Sequence, residues 1–298
     1  MKTEKPIFIV GVGRSGSSIF HRIFTEHPNV AWLSSRLCDR FPHKPWFSQY
    51  LMRAIDLPLM GDFVRRRFSP SESYTFWDYH CTGFSEPCRD LLVTDVRPNL
   101  QLKLPTVTSQ MLTPKRDRLL VKITGWPRIG FLMGIFPDAK IIHIKRDPRA
   151  VINSLLNVDF WSGWRGPQNW RWGELTLEQR QEWERFDRSF VALAGIELRI
   201  LSKAMEQAKK CVTDDNFKEI AYEDLCANPL SVFKEVMGFC ELEWTNQFEN
   251  TVRTSQLKNT NYKWRQDLTE DQQQIVEYFA LQLSNDLSHK QTEERITL

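Results

Sequence analysis

The sequence predicts an α/β fold of three layers, a central parallel sheet flanked by helices, with an aromatic-rich cap. Three observations lead there. Short β-branched and aromatic runs alternate with stretches of helical spacing, as in parallel sheets covered on both faces. The first run ends in a glycine-rich turn that opens a helix, "PIFIVGVGRSGSSIF". Two regions then replace clean periodicity with Pro, Phe and Trp.

In chain order, "PIFIVG" reads as a buried strand ended by glycine. "SGSSIFHRIFTEH" places apolar residues at 19, 20, 23 and 24, a helical spacing closed by Pro28. "NVAWLS" is a second strand. Residues 36–117 read as a cap of short helices and loops, a candidate acceptor-binding insertion. "LLVKIT" (119–124) and "AKIIHIK" (139–145) are two further strands, with a short helix around 126–136 between them. "DPRAVINSLL" opens a helix with Pro148 at an early position, where its missing N–H does no harm. "FWSGWRGPQNWRWG" (160–173) holds four of the eleven tryptophans and reads as a lid. These tryptophans suit either a core or the stacking face of an acceptor site, with Arg165 and Arg171 among them for an anion. The stretch from Thr176 reads as one long helix. Its Thr176–Gln179 pair forms a capping box, and Trp183, Phe186, Phe190, Leu193, Leu201 and Met205 form one stripe. "FKEIAY" (217–222) is the last strand, followed by "NPLSVFKEVMGFC" as a helix. Residues 1–298 are expected to form a single domain.

Composition narrows the function. At 298 residues, 26% charged and 41% hydrophobic, the chain can bury a sizeable core. A net charge of +3 is too small for a duplex-binding face, so nucleic acid is not expected as a partner. A small anion needs only a few placed cations. The longest apolar run, Ile129 to Phe136, is far too short to span a membrane. The start lacks the apolar core of a signal peptide, and the six cysteines show no C-x-x-C spacing, which suits a reducing cytoplasm. No metal-ligand spacing is present, and oligomeric state is left open.

The glycine-rich loop fits three phosphate-binding templates in part. "GVGRSG" matches G-x-G-x-x-G, but the next strand ends in Ser34 and Ser35 rather than the acid a dinucleotide ribose requires. The triphosphate P-loop fits at Gly11, Gly16 and Ser18, yet Ser17 stands where its lysine belongs, and "KIIHIKRD" offers two cations where magnesium needs a carboxylate. A third, P-loop-like arrangement explains both departures. Arg14 supplies the cation inside the loop, Ser-Gly-Ser-Ser supplies hydroxyls and N–H groups at a helix start, and a second cationic strand end stands nearby. In a doubly wound sheet both lie beyond the carboxyl ends of strands, where ligands bind.

On these residues the chain resembles the sulfotransferases that use 3′-phosphoadenosine 5′-phosphosulfate (PAPS), in a branch similar to the tyrosylprotein and bacterial enzymes. "RSGSS" (14–18) resembles their 5′-phosphosulfate loop, and "RDPRAVINS" supplies Arg146 and Ser154 in the spacing of their 3′-phosphate motif. Lys122 in "LLVKIT" fits their strand lysine, "AYEDL" places Tyr222 near the adenosine, and "NTNYKWRQDLT" looks like their closing loop, with Lys263 and Arg265 over the phosphates. The resemblance covers roughly residues 6–270. It implies a metal-free enzyme moving a sulfuryl group from PAPS to a hydroxyl, less readily an amine, of a small-molecule, lipid or glycan acceptor. Arg14 would stabilise the bridging oxygen, Ser15, Gly16, Ser17 and Ser18 would hold the 5′-phosphate, and Lys122 would touch the sulfuryl oxygens. A lysine inside an apolar strand is costly unless paired, so a carboxylate partner is the other reading of Lys122.

The general base does not carry over. Ser34 and Ser35 stand where the tyrosylprotein-like branch has a glutamate, and Thr124 stands where cytosolic members have a histidine. Asp39, His43, His80 and Asp95 are the candidates from the cap. A P-loop nucleotide kinase and a non-catalytic nucleotide-binding module are the alternative functions.

Overall fold

The computed structural model describes residues 2–85 and 88–296, with side chains placed up to Asn285. β1 (Ile7–Gly11) runs through the middle of a five-stranded sheet and leads into α1 (Ser17–Phe24) and β2 (Val30–Trp32). Five helices follow before the sheet resumes: α2 (Ser35–Cys38), α3 (Trp46–Ile55), α4 (Gly61–Arg67), α5 (Tyr74–His80) and α6 (Pro98–Ser109). β3 (Arg118–Thr124), α7 (Ile129–Ile135), β4 (Lys140–Lys145) and α8 (Pro148–Leu156) continue the alternation. α9 (Leu177–Arg185) and α10 (Phe190–Lys209) precede β5 (Phe217–Ala221). α11 (Tyr222–Ala227), α12 (Pro229–Phe239), α13 (Asn246–Thr254), α14 (Trp264–Asp267) and α15 (Glu270–Ile296) complete the chain.

The strand order is β2-β3-β1-β4-β5 and every pairing is parallel. The expected fold class is therefore the observed one, and each of the five predicted strands forms within two residues of its expected bounds. β1 is wholly buried because both its faces are covered. One face, through Phe8 and Val10, packs on the cap residues Trp77 and Phe84; the other, through Ile7 and Ile9, packs on Phe20, Phe24 and Phe233. A third cluster joins Val151, Trp161, Trp170, Leu193 and Phe279 beside α8, α10 and α15.

One sequence expectation changes. The single long helix after Thr176 is two helices. The capping box does start α9, but Asp187 and Arg188 adopt φ of 51° and 53°, and Ser189 restarts the chain by accepting a hydrogen bond from the Ala192 N–H. The apolar stripe continues across this break, so periodicity alone hides it. Within the cap, "NLQLKLP" lies in the regular helix α6, which begins at Pro98.

Arg116 ties the cap to the sheet. It is buried, ion-pairs with Asp56 at 2.9 Å, and donates to the carbonyls of His27 and Val30 at 3.1 and 2.7 Å. Truncating one partner of a buried pair leaves the other uncompensated. Arg116→Ala should lower the unfolding free energy by about 3 kcal/mol, measured by urea denaturation. A loss below about 0.5 kcal/mol, the scale of an ordinary surface change, would count against this tie.

Candidate active site

The site grows from the turn between β1 and α1. Gly16 caps the helix with φ of 94°, and no side chain caps the first turn. A Cβ at Gly16 would lie 2.2 Å from Tyr222 Cδ2, so both backbone and packing demand glycine. Arg14 itself adopts φ of 69°, a conformation that costs a non-glycine residue of order 1–2 kcal/mol. Successive residues of opposite backbone hand turn N–H groups to one side, which forms an anion-binding concavity at a helix start. The Ser15 hydroxyl is buried in this turn without a hydrogen-bond partner.

Arg146, 132 positions away, meets the same turn. Its Nη1 donates to the Arg14 carbonyl at 3.0 Å, its Nη2 to Thr260 Oγ1 at 3.0 Å, and its Nε to Asn261 Oδ1 at 2.9 Å. The guanidinium lies 4.5 Å above the Tyr222 ring, and the Tyr222 hydroxyl donates to the Lys258 carbonyl at 2.8 Å. Arg14 Nε in turn donates to Ser154 Oγ at 2.9 Å. The loop, the α8 residue Ser154, Arg146, Tyr222 and the 258–261 segment are thus one connected cluster. Three of the five N–H donors of Arg146 have protein partners; the other two remain for an anion.

On the other side of β1, Lys122 Nζ donates to Ser18 Oγ at 2.8 Å and pairs with Glu72 Oε1 at 2.8 Å. Glu72 also accepts from the Thr124 hydroxyl at 3.0 Å to each oxygen. Lys122 is buried, so the carboxylate answers the cost of a charge inside the strand. Tyr74 donates its hydroxyl to the Thr124 carbonyl at 2.8 Å; burial first, and Glu72 next, push its pKa up and keep it a neutral donor.

Glu72 and Thr124 form one rim of a cavity of about 280 Å³. Gly13 of the loop reaches it, and Trp126, Phe160, Trp161 and Trp172 wall it. Of the tryptophans in the lid, Trp170 is core, Trp161 is buried and lines the cavity, Trp172 lines it, and Trp164 is exposed. The lid therefore serves both readings.

The four cap residues first considered as bases are placed elsewhere. Asp39 accepts from the Phe76 N–H at the start of α5, and His80 is bonded to the Pro42 carbonyl. Asp95 is held by Arg89, and His43 is exposed beside Tyr79. None of them is among the cavity-lining residues; Glu72 is. Lys263 and Arg265 are exposed, with Arg265 over the Trp264 ring, while their neutral neighbours Thr260 and Asn261 make the contacts to Arg146. The two serines after Gly16 split: Ser17 is buried and Ser18 faces Lys122.

Sequence and fold comparisons agree with this geometry. Residues 6–246 match the model of the sulfotransferase family, and the chain belongs to that family. It is thereby an enzyme of the sulfotransferase class rather than a nucleotide kinase. An uncharacterized protein of Aquifex aeolicus is 23% identical over 85% of the chain, which spans 27% of that longer protein. The omega-hydroxy-beta-dihydromenaquinone-9 sulfotransferase Stf3 of Mycobacterium bovis is 22% identical over 92% of the chain and 72% of its own length. The fold is similar to that of sulfotransferase STF9 from Mycobacterium avium, with a TM-score of 0.55 at 17% identity over 96% of this chain and 77% of that one. Among the described residues no helix is long and apolar enough to cross a membrane.

His21 lies beneath this cluster on α1. Burial first, and the Lys122 charge second, lower its pKa from 6.5 to about 3. Between those values the unfolded chain takes up a proton that the folded chain refuses, so stability falls as pH falls. His21→Gln should flatten the acid limb of the stability curve between pH 6.5 and about 3 by about 1.4 kcal/mol per pH unit. An unchanged slope in chemical denaturation at stepped pH would place His21 in a wetter site.

Proposed function

We propose that the chain transfers a sulfuryl group from PAPS to a hydroxyl. The observation that carries this is the meeting of Arg146 with the Arg14 turn at 3.0 Å, with the Lys122–Glu72 pair at the other end of the same loop. One molecule with a phosphate at each end of a ribose suits two cationic ends this close together. The loop N–H groups, Ser15, Gly16, Ser17 and Ser18 would hold the 5′-phosphate, and Arg146 with Ser154 the 3′-phosphate. Tyr222 would flank the adenosine, and Lys263 and Arg265 would close over the outer side. Arg14, now bonded to Ser154, would turn to the bridging oxygen when donor binds.

In this reading Glu72 is the base. The acceptor hydroxyl enters from the cavity beside Glu72 and Thr124. Its oxygen forms a bond to sulfur as the bond from sulfur to the 5′-phosphate oxygen breaks. The hydroxyl proton passes to Glu72, and 3′-phosphoadenosine 5′-phosphate (PAP) leaves with the electron pair. Lys122 and Arg14 offset the charge growing on the transferring and leaving oxygens, the electrostatic contribution that usually dominates such reactions. Arginine and lysine supply this charge, so the reading needs no metal. The base accounts for about 10²–10⁴ in rate. The Mycobacterium bovis relative is named for a hydroxylated quinone, which supports a hydroxyl acceptor. The aromatic cavity supports a ring- or chain-bearing one. A cytoplasmic setting, where thiols stay reduced, agrees with six free cysteines.

Donor binding is tested by thermal unfolding with EDTA present. PAP at 100 times its dissociation constant should stabilise the fold by about 2.7 kcal/mol. Stabilisation by Mg–ATP but not by PAP would reject the donor assignment.

Glu72→Gln keeps the shape of the side chain and removes the base. With ³⁵S-labelled donor and a cell extract as acceptor source, transfer should fall about 10²- to 10⁴-fold while PAP affinity stays near wild type. Full activity would remove Glu72 from the chemistry; lost PAP affinity would mark it as a support for Lys122 alone.

A further inference from the structure

Glu197 projects from α10 into the same cavity as Glu72, and the transfer step leaves it unused. It is 3% exposed and has no lysine or arginine partner in the ion pairs among the described residues. Its Oε2 accepts from Trp161 Nε1 at 2.6 Å. Burial raises its pKa to about 7, against the opposing pull of the Trp161 and Trp172 indoles. A buried carboxyl without a cation is costly. The same cavity holds a second unmet group: Trp126 is 8% exposed and its Nε1 has no hydrogen-bond partner.

The unmet groups are two indole donors, since Trp172 Nε1 on the same wall also lacks a partner, and the remaining acceptor capacity of Glu197. A purely aliphatic or quinone ring would leave Glu197 unanswered. An ammonium would answer Glu197 but leave the Trp126 N–H bare, and would meet Arg128 and Arg171 on the same walls. A hydroxyl both donates and accepts, so hydroxyls on a ring answer the indole donors and the carboxyl together while its C–H face lies on the tryptophans. The volume of about 280 Å³ is at the small end for ligand sites and suits one ring.

We infer that Glu197 is a specificity-determining residue that accepts a hydrogen bond from a second hydroxyl of the acceptor, so that the acceptor is a ring polyol of the glycosyl class. This rests on the cavity being the acceptor site of the proposed transferase. Glu72 would take the proton of the hydroxyl that is sulfated, and Glu197 would read its neighbour.

The test uses full-length protein with PAPS and three probes of matched aromatic size: phenyl β-glucoside, 2-phenylethanol and 2-phenylethylamine. PAP-induced thermal stabilisation is measured first on wild type, Glu197→Gln and Glu197→Leu. If PAP does not stabilise wild type, the donor reading fails and this inference goes with it. With PAP bound, wild type should bind phenyl β-glucoside saturably, read by tryptophan fluorescence. It should use the glucoside at least about tenfold better in kcat/KM than 2-phenylethanol, because a buried polar group left unpaired penalises the analogue. Glu197→Leu should bring that ratio toward one through a raised KM for the glucoside. Should the leucine variant fail to fold, Glu197→Gln, whose amide oxygen still accepts from Trp161, should show a smaller shift of the same sign. Equal use of glucoside and alcohol by wild type, a preference for the amine, no saturable glucoside binding, or a ratio unmoved in the variants would each overturn the inference.

Discussion

The position of β1 between β3 and β4 is the constraint on which the rest depends. Its register pairs Ile9 with Lys122 and Val10 with His143, so Gly11 lies level with Thr124 and one step short of where β4 ends. The glycine turn after β1 therefore has a lysine strand on one side and an arginine turn on the other. No loop flexibility is needed to gather them. Parallel pairing in this register puts all three at one edge, where a doubly wound sheet binds ligands. The cap adds Glu72, Tyr74 and Trp77 to that edge, with Arg116 fastening the cap to β2.

Charge placement follows from that edge. Lys122 is buried, and Glu72 and Ser18 hold its Nζ. The neighbouring His21 stays neutral, since burial and the same ammonium disfavour a second positive charge. Arg146 is held differently. Its guanidinium is stacked on Tyr222 and fixed by Arg14, Thr260 and Asn261, which orients it before any anion arrives. Asn261 is itself fixed by Glu223, the acid of "YEDL", which also accepts from the Asp147 N–H. The late motif thus acts through its acid as well as its tyrosine.

How much of this could be read from residues alone depends on the range of the interaction. β1, its glycine turn and α1 form a local strand–turn–helix signal, and "RDPRAVINS" is equally local, so both were legible. A carboxylate near Lys122 was legible as one of two readings, because an apolar strand does not readily carry a bare ammonium. That Glu72 meets the need was not, since 50 positions of aperiodic cap separate the two and no pattern fixes which acid folds back. The closing segment was only partly legible. Its cations drew attention, while the contacts to Arg146 come from Thr260 and Asn261, whose small polar side chains look like ordinary turn residues. The break at Asp187 and Arg188 escaped because apolar spacing persists on both sides of it.

The two carboxyls of the cavity show how environment separates chemical roles. Glu72 sits against the Lys122 ammonium and accepts from the Thr124 hydroxyl. Glu197 sits among indoles, and burial raises its pKa to about 7. A group with a fixed cationic partner can take a proton and return it without leaving the partner's field, which suits a base. A group whose only donors are indoles gains most from a ligand hydroxyl that supplies another hydrogen bond, which suits recognition. In the proposed reading the same residue type would serve chemistry at one wall and selection at another, and the difference lies in what each carboxyl is set beside.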